Sequence, residues 1–364
     1  MIYPYLNFLK SYIGYKTELK PFVKPFSLAL AVTKNCNLRC KMCQSRLNTR
    51  KNELTLKEIE KILKAKTLKN LVFLLLTGGE PFLRDDISDI AVVAHESIPH
   101  LDDFRIATNG TFPEKIISTI SEILSKTNLS ISIKISVDGL ETIHDSIRRV
   151  PGTFSKLIST LNGLKDLRKE NNRLHLSVSF TAMDENIDEI WKVYERFGKE
   201  VEFFFKPGQN YSSNLKDKTK LLISEKTQNS LLKFIDFFIT KEFENKKGIS
   251  GSAQKLFYEY MRKFIEQPSR RPIPCSAGYS SFFIDSDGSV YTCGLAISKI
   301  GNVRKSSLDQ IWHSSLAKKA RKRVKKGKCT CYTSCDLVPS IITCRWYKAV
   351  IDYLKVRRQV RKNK

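Results

Sequence analysis

The sequence predicts an α/β fold: a partial (β/α)6 TIM-type barrel followed by a small C-terminal cysteine-rich extension made of a hairpin and a helix. Three observations predict it. Six short apolar, β-rich runs alternate with amphipathic helical patterns between Ser27 and Phe205, which argues for parallel βα units with right-handed crossovers. Unusual residues stand directly after these runs, where the βα loops of α/β proteins carry chemistry. The nine cysteines are segregated: three lie between Cys36 and Cys43, none in the next 231 residues, and six between Cys275 and Cys344.

Taken in order, residues 1–26 form an N-terminal extension with an amphipathic start, Tyr3–Tyr15. The barrel spans 27–206, with strands at Ser27–Val32, Leu71–Leu76, Phe104–Ala107, Ile131–Val137, Leu174–Thr181 and Val201–Phe205. Helices are expected at Leu56–Leu68, Ile87–Ser97, Pro113–Leu124, Phe154–Lys169 and Ile187–Phe197. Six units make a barrel with a gap, not a closed eight-stranded one. Residues 207–274 connect: 209–224 are polar and loop-like, Glu225–Glu244 carries an apolar helical stripe, and the Pro-rich Gln267–Pro274 marks a boundary. In the auxiliary region, 275–345, Ser281–Ile284 and Val290–Thr292 flank Asp287-Gly288 as a hairpin, and a short helix follows around Leu308–Lys319. A terminal helix near Trp346–Val360 and a basic tail occupy 346–364.

Composition narrows the function classes. The chain has 364 residues, and 63 Lys+Arg against 37 Asp+Glu give a net charge of +26. Abundant, evenly spread Phe, Leu and Ile exclude dominant disorder. Apolar runs such as Leu71–Leu76 are far short of a membrane span, so no transmembrane segment is expected. The start is too short and polar for a signal peptide, which makes the cytoplasm the expected compartment and a disulfide framework unexpected. The basic runs Lys318–Lys328 and 354–364 admit an anionic partner, and a solvated basic surface explains them as well. Aromatic residues do not interleave with them as a stacking platform requires, so nucleic acid is admitted but not indicated.

Cys36, Cys40 and Cys43 lie in the loop after the first strand with three and two residues between them. Zinc would need a fourth ligand that the neighbouring sequence lacks. A 4Fe–4S cubane held by three cysteines leaves one iron open to a substrate or cofactor. This loop resembles the signature of radical S-adenosylmethionine (radical SAM) enzymes. The resemblance implies that the open iron chelates S-adenosylmethionine and that the reduced cluster cleaves it to a 5′-deoxyadenosyl radical, which takes hydrogen from a substrate. Met42 stands where relatives carry an aromatic residue near adenine.

Further motifs arrive in the expected order. Gly78-Gly79-Glu80-Pro81 ends the second strand and is similar to the family's GGE motif, implying close backbone approach to the methionyl ammonium and a counter-charge from Glu80. Thr108-Asn109-Gly110 ends the third strand; Ser136-Val137-Asp138-Gly139 ends the fourth, with Arg148 beyond it. The resemblance assigns Asn109, Ser136, Asp138 and Arg148 to the cofactor. Asn186, after the fifth strand, is read equally as pocket lining or as a helix N-cap. No acid, base or nucleophile is assigned beyond the cluster ligands.

The pattern Cys275-x12-Gly288-x4-Cys293 matches the opening of the auxiliary-cluster extension called SPASM, or in shorter form twitch. Cys329, Cys331, Cys335 and Cys344 follow. The resemblance implies one auxiliary 4Fe–4S cluster on Cys275, Cys293, Cys331 and Cys335, with Cys329 and Cys344 as alternates and zinc as the rival metal. It further implies an electron donor such as flavodoxin or ferredoxin, and a peptide, protein or small-molecule substrate. Gly294 replaces the Asp that formylglycine-forming sulfatase maturases carry after the cysteine equivalent to Cys293, which counts against that chemistry. No peptide-recognition domain is read before residue 27. A non-catalytic iron–sulfur carrier, or a zinc-stabilised radical SAM enzyme working on RNA or at a membrane surface, is the alternative.

Overall fold

Six parallel strands run in chain order through the main sheet: β1 (Ser27–Thr33), β2 (Phe73–Gly78), β3 (Asp103–Thr108), β4 (Ser130–Ser136), β5 (Leu174–Ala182) and β6 (Glu202–Pro207). The computed structural model describes residues 3–19, 23–43, 52–210, 220–243, 249–295, 298–327, 331–333 and 335–345. The basic tail, Lys328 and the expected Trp346–Val360 helix lie outside them. Helix α1 (Tyr3–Thr17) precedes the barrel, and α2 (Leu56–Leu63), α3 (Ile87–Ser97), α4 (Pro113–Lys126), α5 (Glu141–Arg148), α6 (Thr153–Glu170) and α7 (Glu189–Phe197) connect its strands.

Parallel strands covered on both faces read as continuous apolar runs. Here β3, β4 and β6 alternate instead. Phe104, Ile106, Ile131, Ile133, Ile135, Phe203 and Phe205 are at most 3% exposed and belong to the main core, while the residues between them are partly exposed or open to solvent. The alternation therefore marks a helix-covered outer face and an accessible interior. Each large outer-face side chain contributes about 1.5–3 kcal/mol by leaving water.

Local signals explain most helix limits. Thr55 and Glu58 form a reciprocal capping box at α2, whose Ile59, Ile62 and Leu63 are buried. The expected Leu56–Leu68 helix stops at Leu63, and Lys66–Asn70 forms a 3-10 turn. The reason is tertiary: the Thr67 N–H and hydroxyl and the Lys66 N–H all donate to Asp309. Likewise Leu308–Lys319 is two helices, α10 (Leu308–His313) and α11 (Ser315–Lys325), because the extended Ser314 caps the second.

Beyond β6, β7 (Gln209–Asn210) pairs with β8 (Lys220–Leu221), followed by α8 (Glu225–Phe243) and an unforeseen α9 (Ile249–Glu266). An aromatic cluster seats both on the barrel: the Phe205 ring stands 5.0 Å from Phe234 and 4.7 Å from Tyr258. The hairpin β9 (Ser281–Ile284) and β10 (Ser289–Tyr291) turns at Gly288, whose φ of +79° suits glycine, and gains a third strand, β11 (Lys299–Asn302). It does not stand apart. β9 pairs in parallel with β1, giving one nine-stranded sheet in the order β11-β10-β9-β1-β2-β3-β4-β5-β6. A helix over 335–345, α12, ends the described chain.

Candidate functional site

The cysteine loop after β1 is fastened to two neighbouring strand ends and to α5. Gly79 and Glu80 donate their N–H groups to the carbonyls of Thr33 and Asn35, both at 2.8 Å. A Cβ on Gly78 would stand 1.9 Å from the Thr33 oxygen, and one on Gly79 would stand 2.0 Å from the Asn35 oxygen. Gly78 also has a φ of +129°. The two glycines are thus required where the β2 turn presses on the root of the cysteine loop. Asn37 bridges to the β3 end: its Oδ1 accepts from Asn109 Nδ2 at 2.9 Å and its Nδ2 donates to the Thr111 hydroxyl at 2.8 Å. The Lys41 N–H donates to the Ile147 carbonyl at 3.0 Å, tying the loop to α5.

Glu80 is the hub. It is 1% exposed, and its carboxylate accepts from the Thr108 hydroxyl at 2.7 Å, the Asn109 N–H at 2.6 Å and the Phe82 N–H at 3.2 Å. Burial pushes its pKa up, and these three donors oppose the shift. Arg148 reaches from α5 to the middle cysteine: Nη1 donates to Cys40 Sγ at 3.4 Å, while Nη2 stands 2.6 Å from Asp138 Oδ2. Burial raises the Cys36 and Cys40 thiols; Cys43 adds repulsion to both, and the Arg148 charge works the other way on Cys40. Cys36 and Cys40 thus both lie within reach of charge at Cys43, and Arg148 supplies compensation at Cys40. That is the donor set a cluster of thiolate-bound irons requires.

Asp138 is fully buried; besides Arg148 it accepts from the Thr181 N–H at 2.8 Å. His144 Nδ1 accepts from the Asp138 N–H at 3.2 Å, and burial, aided by Arg148, pushes this imidazole down to about 3, so it is neutral. Asn186 is not an N-cap, since α7 starts at Glu189. It accepts from the Met183 N–H at 2.7 Å and donates to the Asp138 and Thr181 carbonyls at 3.0 Å, locking the β4 and β5 ends together. Ser136 is half-buried on the interior face, and Met42 is half-buried on the turn before the exposed Cys43.

The second cysteine group is assembled from distant segments. Cys275, Cys331 and Cys344 are buried, Cys293 and Cys335 partly so, and Cys329 lies outside the described residues. Arg271 donates to Cys331 Sγ at 3.2 Å and to the Ser340 hydroxyl at 3.4 Å, and its charge opposes the upward push of burial on Cys275. Asp336 accepts from the Ser281 and Thr333 hydroxyls at 3.0 and 3.2 Å and from the Gly294 N–H at 3.3 Å, joining α12 to β9 and to the residue after Cys293. Cys344 lies near Cys275; burial and that neighbour push it up to about 11, while a hydrogen bond with Tyr15 opposes the shift. Sequence reading missed Asn37, Arg271, Asp336 and Tyr15. Asn37 and Asp336, each directly after a cysteine, had a positional cue.

Comparison with known proteins identifies two domains. Residues 30–197 match the radical SAM superfamily model, and residues 275–336 match SPASM, an iron–sulfur cluster-binding domain. The chain is 28% identical over 356 residues to AdoMet-dependent heme synthase of Methanosarcina barkeri, covering 91% of this chain and 95% of that protein. It is 24% identical over 306 residues to the sporulation killing factor maturation protein SkfB of Bacillus subtilis, covering 84% and 69%. The fold resembles anSMEcpe with bound AdoMet (TM-score 0.60, 17% identity, 93% and 100% covered) and Streptococcus suis SuiB (TM-score 0.56, 18% identity, 82% and 68% covered). The chain belongs to the radical SAM superfamily and carries a SPASM domain.

Proposed function

We propose that this radical SAM enzyme holds its 4Fe–4S cluster on Cys36, Cys40 and Cys43 and binds S-adenosylmethionine beside it, at the carboxyl ends of β1–β4. The observation that carries the reading is the fastening of the three-thiol loop to Glu80, Asn109 and Arg148 through direct hydrogen bonds. When bound, the reduced cluster supplies the electron that cleaves the sulfonium to a 5′-deoxyadenosyl radical, which takes hydrogen from the substrate. The chain's own groups do the positioning. Gly78 and Gly79 bring the β2 turn against the loop, Glu80 holds negative charge for the methionyl ammonium, and Met42 covers adenine. Asn109 and Ser136 offer polar groups to the carboxylate and ribose. Asp138 fixes Arg148, which steadies Cys40.

The auxiliary cluster is placed on Cys275, Cys293, Cys331 and Cys335, with Cys344 as the described alternate. A cluster held by these thiolates would supply an electron acceptor or relay. Four thiolates suit an iron–sulfur cluster, each on its own iron, and zinc is the rival occupant. The electron donor is of the flavodoxin or ferredoxin kind, and the substrate is a peptide or a small molecule. Anaerobically reconstituted protein given S-adenosylmethionine and dithionite is expected to release 5′-deoxyadenosine. None released, with iron bound, contradicts the reading.

A further inference from the structure

The barrel interior has two unlike halves. On the side of β10, β9, β1 and β2 it is apolar: Ala29, Ala31 and Phe283 form a small core of their own, with Leu75 and Tyr291 packed against it and separate from the helix-covered core. Ala31 is fully buried in this apolar wall, and Leu75 and Tyr291 form its partly exposed surface. On the side of β3 to β6 the interior positions carry Arg105, Lys134 and Lys206, all partly exposed. The register places Lys134 opposite Ala107 on β3 and Ser177 on β5, and Lys206 opposite Thr181 on β5.

Two of the cations facing this space are neutralised. Arg105 pairs with Asp103 at 2.6 Å, and Lys34 with Asp285 at 2.9 Å. Lys134 and Lys206 form no hydrogen bond or ion pair with the described residues. Lys134 Nζ instead rests over the Phe204 ring at 3.8 Å. Enclosure pushes the Lys134 ammonium down to about 8, Arg105 and Lys206 adding to the shift while Cys335 and Glu202 oppose it. A lysine without a carboxylate partner on the interior wall is costly for the empty protein. A bound anion removes that cost.

We propose that the substrate is an amphiphilic acid. Its carboxylate or phosphate group is received by Lys134 and Lys206, and its apolar body lies against Leu75 and Tyr291, the partly exposed side chains of the apolar wall. This rests on the function proposed above, and it adds the chemical class of the substrate. Cys335 stands near Lys134, so an acid held there is also close to the second cysteine group.

The test uses reconstituted full-length protein and two fluorescent probes of nearly the same shape, anionic anilinonaphthalene sulfonate and neutral phenylnaphthylamine. In Lys134→Gln/Lys206→Gln the anionic probe is expected to bind about ten- to a hundredfold more weakly, the range for losing hydrogen bonds to a charged group. The neutral probe is expected to bind as before. Lys134→Arg/Lys206→Arg restores the anionic probe, a result that general damage to the fold does not produce. Benzoate and phenyl phosphate then compete with the probe on the wild type. The stronger competitor names the acid group, and failure of both to displace the probe overturns the proposal. Equal weakening of both probes in the glutamine variant, or no weakening of the anionic one, also overturns it. Loss of 5′-deoxyadenosine formation in the wild type, with probe binding as expected, would count against the proposed function instead.

Discussion

The two cysteine groups achieve similar surroundings by opposite routes. In the first, a short loop supplies all three thiols, and its backbone is pinned to strand ends a few residues long. In the second, the thiols come from before β9, after β10, the segment preceding α12 and α12 itself, and most are buried. Yet each group contains a buried carboxylate and a guanidinium that donates to one sulfur: Asp138 with Arg148 on Cys40, and Asp336 with Arg271 on Cys331. One site is thus a property of local sequence, and the other of tertiary assembly. The first leaves Cys43 exposed, which suits a cluster that must admit a cofactor; the second buries Cys275, Cys331 and Cys344, which suits electron storage or relay.

Separability of the groups is the strongest consequence. Cys36→Ala/Cys40→Ala/Cys43→Ala is expected to remove about four irons per chain and abolish cleavage of S-adenosylmethionine, read by iron assay and chromatography. Next in size, Gly79→Ala forces a Cβ against the Asn35 carbonyl. It is expected to cost about 1–3 kcal/mol, typical of overpacking, and to lower iron loading at the first site alone. Glu80→Gln turns one acceptor oxygen into a donor among three donors. It is expected to weaken S-adenosylmethionine binding by about 1–3 kcal/mol in anaerobic calorimetry. Unchanged affinity would reduce Glu80 to a brace between strands.

A smaller effect tests the interior. The folded pKa of Lys134 lies below that of a free lysine. Its ammonium form therefore destabilises the protein at pH below about 8, and this penalty fades as pH rises toward the unfolded value. Lys134→Met should raise the melting temperature at pH 7 and make little difference above about pH 10. The same substitution in a protein where Lys134 served stability would lower it.

Much of the barrel is legible in the sequence because period-two alternation and capping residues act locally. The Ile131–Val137 run reads as a strand, the structure has it at Ser130–Ser136, and its polar alternate positions face the interior. The Cys36–Cys43 spacing is legible for the same reason. What escaped is what depends on distant partners. Asp309 shortens α2 from some 240 positions away, as the separations of 242 and 243 show. The union of β9 with β1 and the convergence of Arg271, Asp336 and Tyr15 on the late cysteines leave no local pattern. The glycines of Gly78-Gly79 were seen, but their reason lies in the carbonyls of Thr33 and Asn35.

The most direct test of two distinct centres sets Cys36→Ala/Cys40→Ala/Cys43→Ala beside Cys275→Ala/Cys293→Ala, measuring iron and 5′-deoxyadenosine in both. The account predicts about four irons in each variant against about eight in the wild type. It predicts 5′-deoxyadenosine from the second variant and none from the first. About four irons with one zinc in the wild type, or 5′-deoxyadenosine released by the first variant, would contradict it.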